Sequence, residues 1–289
     1  MRTDPPLKIG LPKGRMQEGV LAILAEAGIH VRADARGYRP AVSLPWLEAK
    51  ILKPQNIVEM LELGSRDVGF AGADWVEELG AEDLVELVDT TLDPVRLVAA
   101  APTALVARGW PPEQRLVIAS EYESLTRRWI ARCQLDATFV RSYGATEVFP
   151  PEDADVIVDN AATGSTLKAN QLEVVDELMR SSTRLFAHRG ALADPAKKEQ
   201  IDRLVLLLRS VLEARRRVML EVNVSADKLE ALVAILPCMR EPTIATLHAG
   251  AGYAVKVAVP REDLPALIPE IKATGGTDLV VSALTQIVP

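Results

Sequence analysis

With 289 residues, 48% of them hydrophobic and 25% charged, the chain has the composition of a folded protein of more than one domain, not of a disordered one. Its net charge of −7 excludes the basic footprint that general nucleic-acid binding needs. Two separated cysteines, Cys133 and Cys238, with His30, His188 and His248 at no ligand spacing, exclude a disulfide framework and argue against a structural zinc site.

No stretch reaches the roughly 20 apolar residues that span a bilayer. The longest run, Leu97–Ala107, is short and contains Pro102. The opening MRTDPPLK has no apolar signal-peptide core, so a cytoplasmic protein without a membrane partner is expected.

In chain order, Met1–Pro6 reads as a loose tail and Leu7–Leu11 as a strand. The turn Pro12-Lys13-Gly14-Arg15 then leads into a helix whose stripe is Val20, Leu21, Ile23, Leu24 and Ala27, with Gly28 stopping it. Ala49–Leu52 reads as a strand, Ile57–Leu63 as a helix and Asp67–Ala71 as a buried strand, with Asp74 placed to cap a helix from Trp75. Val95–Ala101, Leu116–Ser120 and Ala137–Ser142 read as further strands. Between the last two, a helix carries Leu125, Trp129 and Cys133 on one face, which puts Cys133 in the core. Alternation of strands with helices predicts parallel sheets wrapped by helices.

A long helix over Pro195–Arg217 follows, closed by Arg215-Arg216-Arg217 at the negative end of its dipole. The remainder predicts strand Val218–Val224, helix Ala226–Leu236, strands Thr243–Leu247 and Tyr253–Val259, helix Arg261–Thr274 and strand Leu279–Ala283. This is the β-α-β-β-α-β order of a ferredoxin-like module. It lacks a phosphate loop and reads as regulatory or assembly-forming.

The most informative segment is Asp155–Asn170, DVIVDNAATGSTLKAN. Val156-Ile157-Val158 has the character of a strand covered on both faces. It ends at Asp159-Asn160 and turns through small residues into Thr163-Gly164-Ser165-Thr166. Small side chains let backbone N–H groups reach a phosphate, and the hydroxyls add donors. Such charge-assisted bonds contribute roughly 1.5–3 kcal/mol each. Asp159 repels phosphate, so its partners are either the hydroxyls of a ribose or a metal-bound water. Phosphate on the loop and diol on the acid describe a ribose 5-phosphate.

Taken together, several motifs resemble the ATP phosphoribosyltransferase family in its long form, the enzyme that opens histidine biosynthesis. They are Leu11–Arg15, Ile51–Pro54, Asp67–Trp75, Ser120-Glu121-Tyr122 with Thr126-Arg127-Arg128, Glu147, Asp159–Leu167, Ser182–Leu185, and Leu236-Pro237 with Glu241-Pro242-Thr243. The order is collinear over nearly the whole chain. Lys53 departs from the family's frequent arginine, which loses a bidentate fork.

The resemblance implies a two-lobed, periplasmic-binding-protein-like catalytic part. Residues 1–94 with 184–217 would form one lobe, 95–183 the other, and 218–289 a regulatory domain. It implies transfer of the 5-phosphoribosyl group of phosphoribosyl pyrophosphate (PRPP) to N1 of ATP, with Mg2+ travelling on the phosphates and L-histidine as inhibitor. A homo-oligomer, dimer or hexamer, is expected. Lys13, Arg15, Glu147 and Asp159 carry the catalytic roles. Lys53, Gly69, Gly72, Asp74, Tyr122, Asn160, Thr163, Gly164, Ser165 and Thr166 would bind substrates, and Thr243 would lie by the histidine pocket. The competing reading is a non-catalytic, two-lobed nucleotide- or phosphoribosyl-binding regulator. A transferase acting on another base is a third, disfavoured by the LPKGR turn and the appended module.

Overall fold

The computed structural model describes residues 5–32 and 37–288. Of the expected tail, only Pro5 and Pro6 fall among them. By internal packing the chain divides into one unit of residues 1–25 with 29–203 and a second of 26–28 with 204–289. The boundary expected at residues 217 and 218 therefore lies inside the second unit.

The first unit opens with β1 (Leu7–Pro12), α1 (Arg15–Glu26), the short pair β2 (Val31–Arg32) and β3 (Ala41–Val42), and β4 (Leu47–Leu52). Then come α2 (Pro54–Glu62), β5 (Val68–Gly72), α3 (Ala73–Leu79), β6 (Leu84–Pro102) and α4 (Thr103–Val106). β7 (Leu116–Ser120), α5 (Glu123–Arg132), β8 (Ala137–Arg141), β9 (Val156–Ala161) and α6 (Ser165–Ala169) follow, before β10 (Leu172–His188), α7 (Arg189–Ala193) and α8 (Pro195–Arg216), whose residues from Leu204 on belong to the second unit.

One eight-stranded sheet runs through this unit in the order β4-β1-β5-β10-β6-β9-β7-β8. It consists of two parallel triplets, β4-β1-β5 and β9-β7-β8, joined by the antiparallel pair β10 and β6. Each triplet is a lobe with its own core. Leu7, Ile9 and Leu11 are buried in the first, and Val156, Ile157 and Val158 in the second. Period-two burial of only one face is absent in these strands because helices cover both faces.

The linking pair is the main departure from the sequence reading. β6 has 19 residues and β10 has 17, where only Val95–Ala101 had been expected as strand. Their register shifts at several bulges, among them Ser181/Thr183 opposite Pro94. A bulge is where a strand tolerates proline, which cannot donate to the ladder. The expectation of wholly parallel sheets therefore holds for the triplets and fails for the pair that joins them.

Two local expectations are also corrected. Asp74 lies inside α3, whose N-cap is Gly72, so it does not cap that helix. Cys133 is exposed, because α5 ends one residue earlier at Arg132 and the stripe ends with it.

In the second unit, β11 (Arg217–Val224), α9 (Leu229–Ile235), β12 (Thr243–Thr246), β13 (Tyr253–Pro260), α10 (Leu264–Thr274) and β14 (Thr277–Ala283) follow α8. The sheet order is β12-β13-β11-β14, all antiparallel, as the β-α-β-β-α-β order requires. Leu220, Val222, Val255, Val257, Leu232 and Ile271 form its core between sheet and helices. Among the described residues, no helix is long and apolar enough to cross a membrane.

Candidate active site

The segment singled out in the sequence forms the wall of a cavity of about 490 Å³. β9 delivers Asp159 and Asn160 to its edge, and the chain turns through Ala162 and Thr163. Gly164 has φ of 73°, a left-handed conformation that glycine adopts without steric cost. That turn starts α6 at Ser165, so its first amides have no helical acceptor behind them. Thr163 Oγ1 and Ser165 Oγ lie 2.9 Å apart, and both side chains are exposed toward solvent. Thr166 lines the same cavity. The loop presents amides and hydroxyls at a strand end, a set suited to an anion, with Thr163 Oγ1 bonded to Ser165 Oγ and accepting from the Ser165 amide at 3.4 Å.

Opposite the loop stand Glu147, on a 3-10 turn of residues Thr146–Val148, and Glu121. Glu147 and Asp159 are thus brought together on one cavity by the short link from the 3-10 turn to β9. The Asp159 carboxyl is pushed up to about 6, first by burial, with the charges of Glu147 and Glu121 adding to it. The Asn160 amide, donating to Oδ1 at 2.7 Å, and Arg15 pull the other way.

A second cavity, of about 390 Å³, adjoins the first and shares Arg15, Glu121 and Asn160 with it. Its aromatic wall is Trp75 stacked on Tyr122, centroids 4.6 Å apart. Beneath lies a closed network. Tyr122 Oη donates to Asp74 Oδ2 at 2.6 Å, and Ser181 Oγ donates to Asp74 Oδ1 at 2.6 Å. Asn160 Nδ2 donates to Tyr122 Oη at 3.3 Å. Burial, then the Asp74 charge, raises the Tyr122 hydroxyl far above its ordinary range, so it remains a donor. Asp74 and Tyr122 border the cavity, yet their polar atoms are largely engaged with each other. They shape the wall and hold Asn160.

Arg15 reaches across from the first lobe, Nη1 donating to Asn160 Oδ1 at 3.4 Å. Lys13, exposed on the same turn, donates to Tyr38 Oη at 3.2 Å and sits 5.0 Å from that ring's centre. Gly72 lines the second cavity, where a Cβ would run into the Asp74 carboxylate. Gly69 is not among the residues that line these two cavities. An added Cβ would lie 2.5 Å from Ile57 Cγ2, so this glycine serves the packing of β5 on α2, away from the cavities. Lys53 is exposed at the N-cap of α2, and its neighbours Pro54 and Gln55 line the cavity in its place.

Several lining residues were not expected from the sequence: Glu121, Trp75, Asp93, Ser181, Ser182 and Thr183. Trp75, Glu121, Ser182 and Thr183 belong to the motifs that carry the family resemblance, a usable signal, whereas Ser181 lies just before Ser182, outside them. Asp93 had none. Thr243 begins β12, an edge strand exposed along its whole length. Among the described residues, no group of three or more His, Cys, Asp or Glu side chains could hold a metal ion.

Comparison with known proteins shows the family. Residues 53–210 match the family model for ATP phosphoribosyltransferase, and residues 214–286 match the model for that family's C-terminal domain. An ATP phosphoribosyltransferase from Pelodictyon phaeoclathratiforme is 36% identical over 274 residues, covering 93% of each chain. One from Pelotomaculum thermopropionicum is 36% identical over 288 residues, covering 98% of this chain and 99% of the relative. A solved ATP phosphoribosyl transferase (HisG:HisZ) complex from Thermotoga maritima superposes with a TM-score of 0.61 at 25% identity, over 70% of this chain and 98% of that one. Two adjoining cavities that meet at Arg15 and Asn160, on a chain matched almost end to end, place this protein in the ATP phosphoribosyltransferase family.

Proposed function

We propose a division of labour in which the loop cavity holds PRPP and the aromatic-walled cavity holds ATP, their reacting atoms meeting at the shared border. The family reaction is transfer of the 5-phosphoribosyl group of PRPP to N1 of ATP, giving phosphoribosyl-ATP and pyrophosphate, the first step of histidine biosynthesis. The observation that carries the assignment is that Arg15, Glu121 and Asn160 belong to both cavities.

The N1 lone pair forms a bond to C1 of the ribose while the bond from C1 to the pyrophosphate oxygen breaks, with inversion. Charge leaves the sugar with pyrophosphate, so the barrier falls when the reactants are aligned and that charge is neutralised. On our reading, the amides and hydroxyls of Thr163–Thr166 grip the 5-phosphate, and Asp159 accepts from the ribose hydroxyls. Arg15 and Lys13 neutralise the leaving group, where a guanidinium fork gives two parallel bonds. Glu147 lies beside the reacting ribose, and its charge adds to the burial that raises Asp159. N1 is itself a nucleophile, so no strong base is demanded.

Mg2+ is assigned to the substrate phosphates, whose charge it would offset. The second unit, with its exposed edge strand at Thr243, is assigned to L-histidine feedback inhibition and to assembly into a homo-oligomer. The compartment we assign is the cytoplasm.

The test is pyrophosphate release from ATP and PRPP with magnesium, with and without L-histidine. Release that L-histidine suppresses is expected. Release with another base but not with ATP would refute the substrate assignment, and release indifferent to L-histidine would remove the regulatory role alone. The reading as a non-catalytic binder predicts ligand binding with no release.

A further inference from the structure

Away from the cleft, four arginines converge on one cavity of the second unit. Arg215, Arg216 and Arg217 stand where α8 passes into β11, and Arg261 opens the 3-10 turn after β13. With Glu213, Pro260 and Glu262 they line a space of about 600 Å³. The sheet brings them together, because Arg217 on β11 pairs in register with Pro260 on β13.

Two of the four are fixed. Arg215 makes a two-pronged bond to Glu26, with both distances 2.8 Å. Arg217 Nε donates to Glu213 Oε1 at 2.6 Å, and both side chains of that pair are half-buried. Arg216 and Arg261 are exposed, and neither side chain has a hydrogen bond or ion pair to another described residue. The negative end of a helix dipole accounts for arginines that close α8. It does not account for Arg261, which reaches the same space from the end of a different strand.

A guanidinium carries five N–H donors. Arg215 spends two of these on Glu26 and Arg217 one on Glu213, which is thereby engaged. The cavity is therefore rich in unspent, charged donors, with Glu262 as the one lining carboxylate lacking a partner among the described residues. A single carboxylate ligand would satisfy one fork. Several forks at fixed spacing suit an anion with oxygens on more than one centre. The volume is in the range of small-molecule sites.

We propose that this cavity binds a polyphosphate anion, either free pyrophosphate or the phosphate chain of a nucleotide. The ligand would bridge the α8–β11 junction to the turn after β13, held by the unpaired Arg216 and Arg261 side chains together with the anchored Arg215 and Arg217.

The experiment is hydrogen exchange on the full-length chain, read by mass spectrometry. Separate arms contain inorganic pyrophosphate, ATP, and sulfate at matched ionic strength. With ligand near four times Kd, amides over 213–218 and 260–264 should exchange about fivefold more slowly. The Arg216→Gln/Arg261→Gln variant should lose that protection and keep any protection over 161–169. Since both side chains are exposed without partners, the variant should also keep its melting temperature. Protection by pyrophosphate alone or by ATP alone supports the site and names its source. Equal slowing by sulfate, protection that survives in the variant, or no protection by either phosphate overturns it.

Discussion

Arg15 on the first lobe donates through Nη1 to Asn160 Oδ1 on the second, at 3.4 Å. Asn160 in turn donates through Nδ2 to Tyr122 Oη, which is bound to Asp74. One amide thereby connects the charged turn after β1 to the buried network under the aromatic wall. The contact is long and exposed, so it contributes little to stability, on the order of 0.5 kcal/mol. Its value lies in orientation.

Asn160→Ala should accordingly lower kcat/KM by about 10- to 100-fold, which corresponds to roughly 1.4–2.7 kcal/mol of transition-state stabilisation. The melting temperature should barely change. Steady-state kinetics and a thermal melt decide this, and a large loss of stability with normal kinetics would make Asn160 a structural residue.

Asp159 gives the pH dependence. Its carboxyl, at about 6, is protonated in mildly acidic solution, and the ribose hydroxyls need the charged form as acceptor. On the acid side, kcat/KM for PRPP should fall as pH drops through about 6. Glu147→Gln removes a charge that raises Asp159, so the acid limb should move to lower pH. The linked effect on stability has the opposite sense. Because the folded value lies above the ordinary one near 4, the folded state holds the extra proton in between. This contribution to stability is present below about 4 and is lost as pH rises through about 6. Asp159→Asn should flatten that slope. An acid limb that Glu147→Gln leaves in place would put its origin elsewhere.

Gly69→Ala separates packing from binding. The added methyl meets Ile57 at 2.5 Å in a closed core and should cost about 1–3 kcal/mol of stability. KM for both substrates, measured on folded protein, should be unchanged. A raised KM for ATP without loss of stability would restore Gly69 to the binding site.

Tyr122→Phe removes the hydroxyl that holds Asp74 Oδ2 and leaves a buried carboxylate one donor short. Destabilisation of about 1–3 kcal/mol is expected. Kinetic losses should be smaller than those of Asn160→Ala, since Tyr122 acts on substrate only through the wall it forms and through the one bond it accepts from Asn160, which keeps its contact with Arg15. Chemical denaturation beside steady-state rates tests this ordering.

What could be read in the sequence follows from how locally each feature is encoded. β9 and its loop were legible because an apolar run, a carboxylate and a small-residue turn sit within Asp155–Asn170. The β-α-β-β-α-β module was legible because each element has its own periodicity. The β6–β10 pair was not, since charged residues such as Glu86, Asp89, Asp176 and Glu177 interrupt its apolar pattern and bulges break its alternation. The cleft residues on that pair, Asp93 and Ser181–Thr183, were hidden with it. Gly69 and Gly72 look equivalent in sequence, and only the position of Ile57 tells them apart. Cys133 was misplaced by a single residue, the end of α5.

The most direct test is a crystal structure with PRPP and magnesium. The account predicts the 5-phosphate about 3 Å from the amides that open α6, with the ribose hydroxyls on Asp159. A phosphate bound elsewhere, with residues 163–166 contacting no ligand, would contradict it.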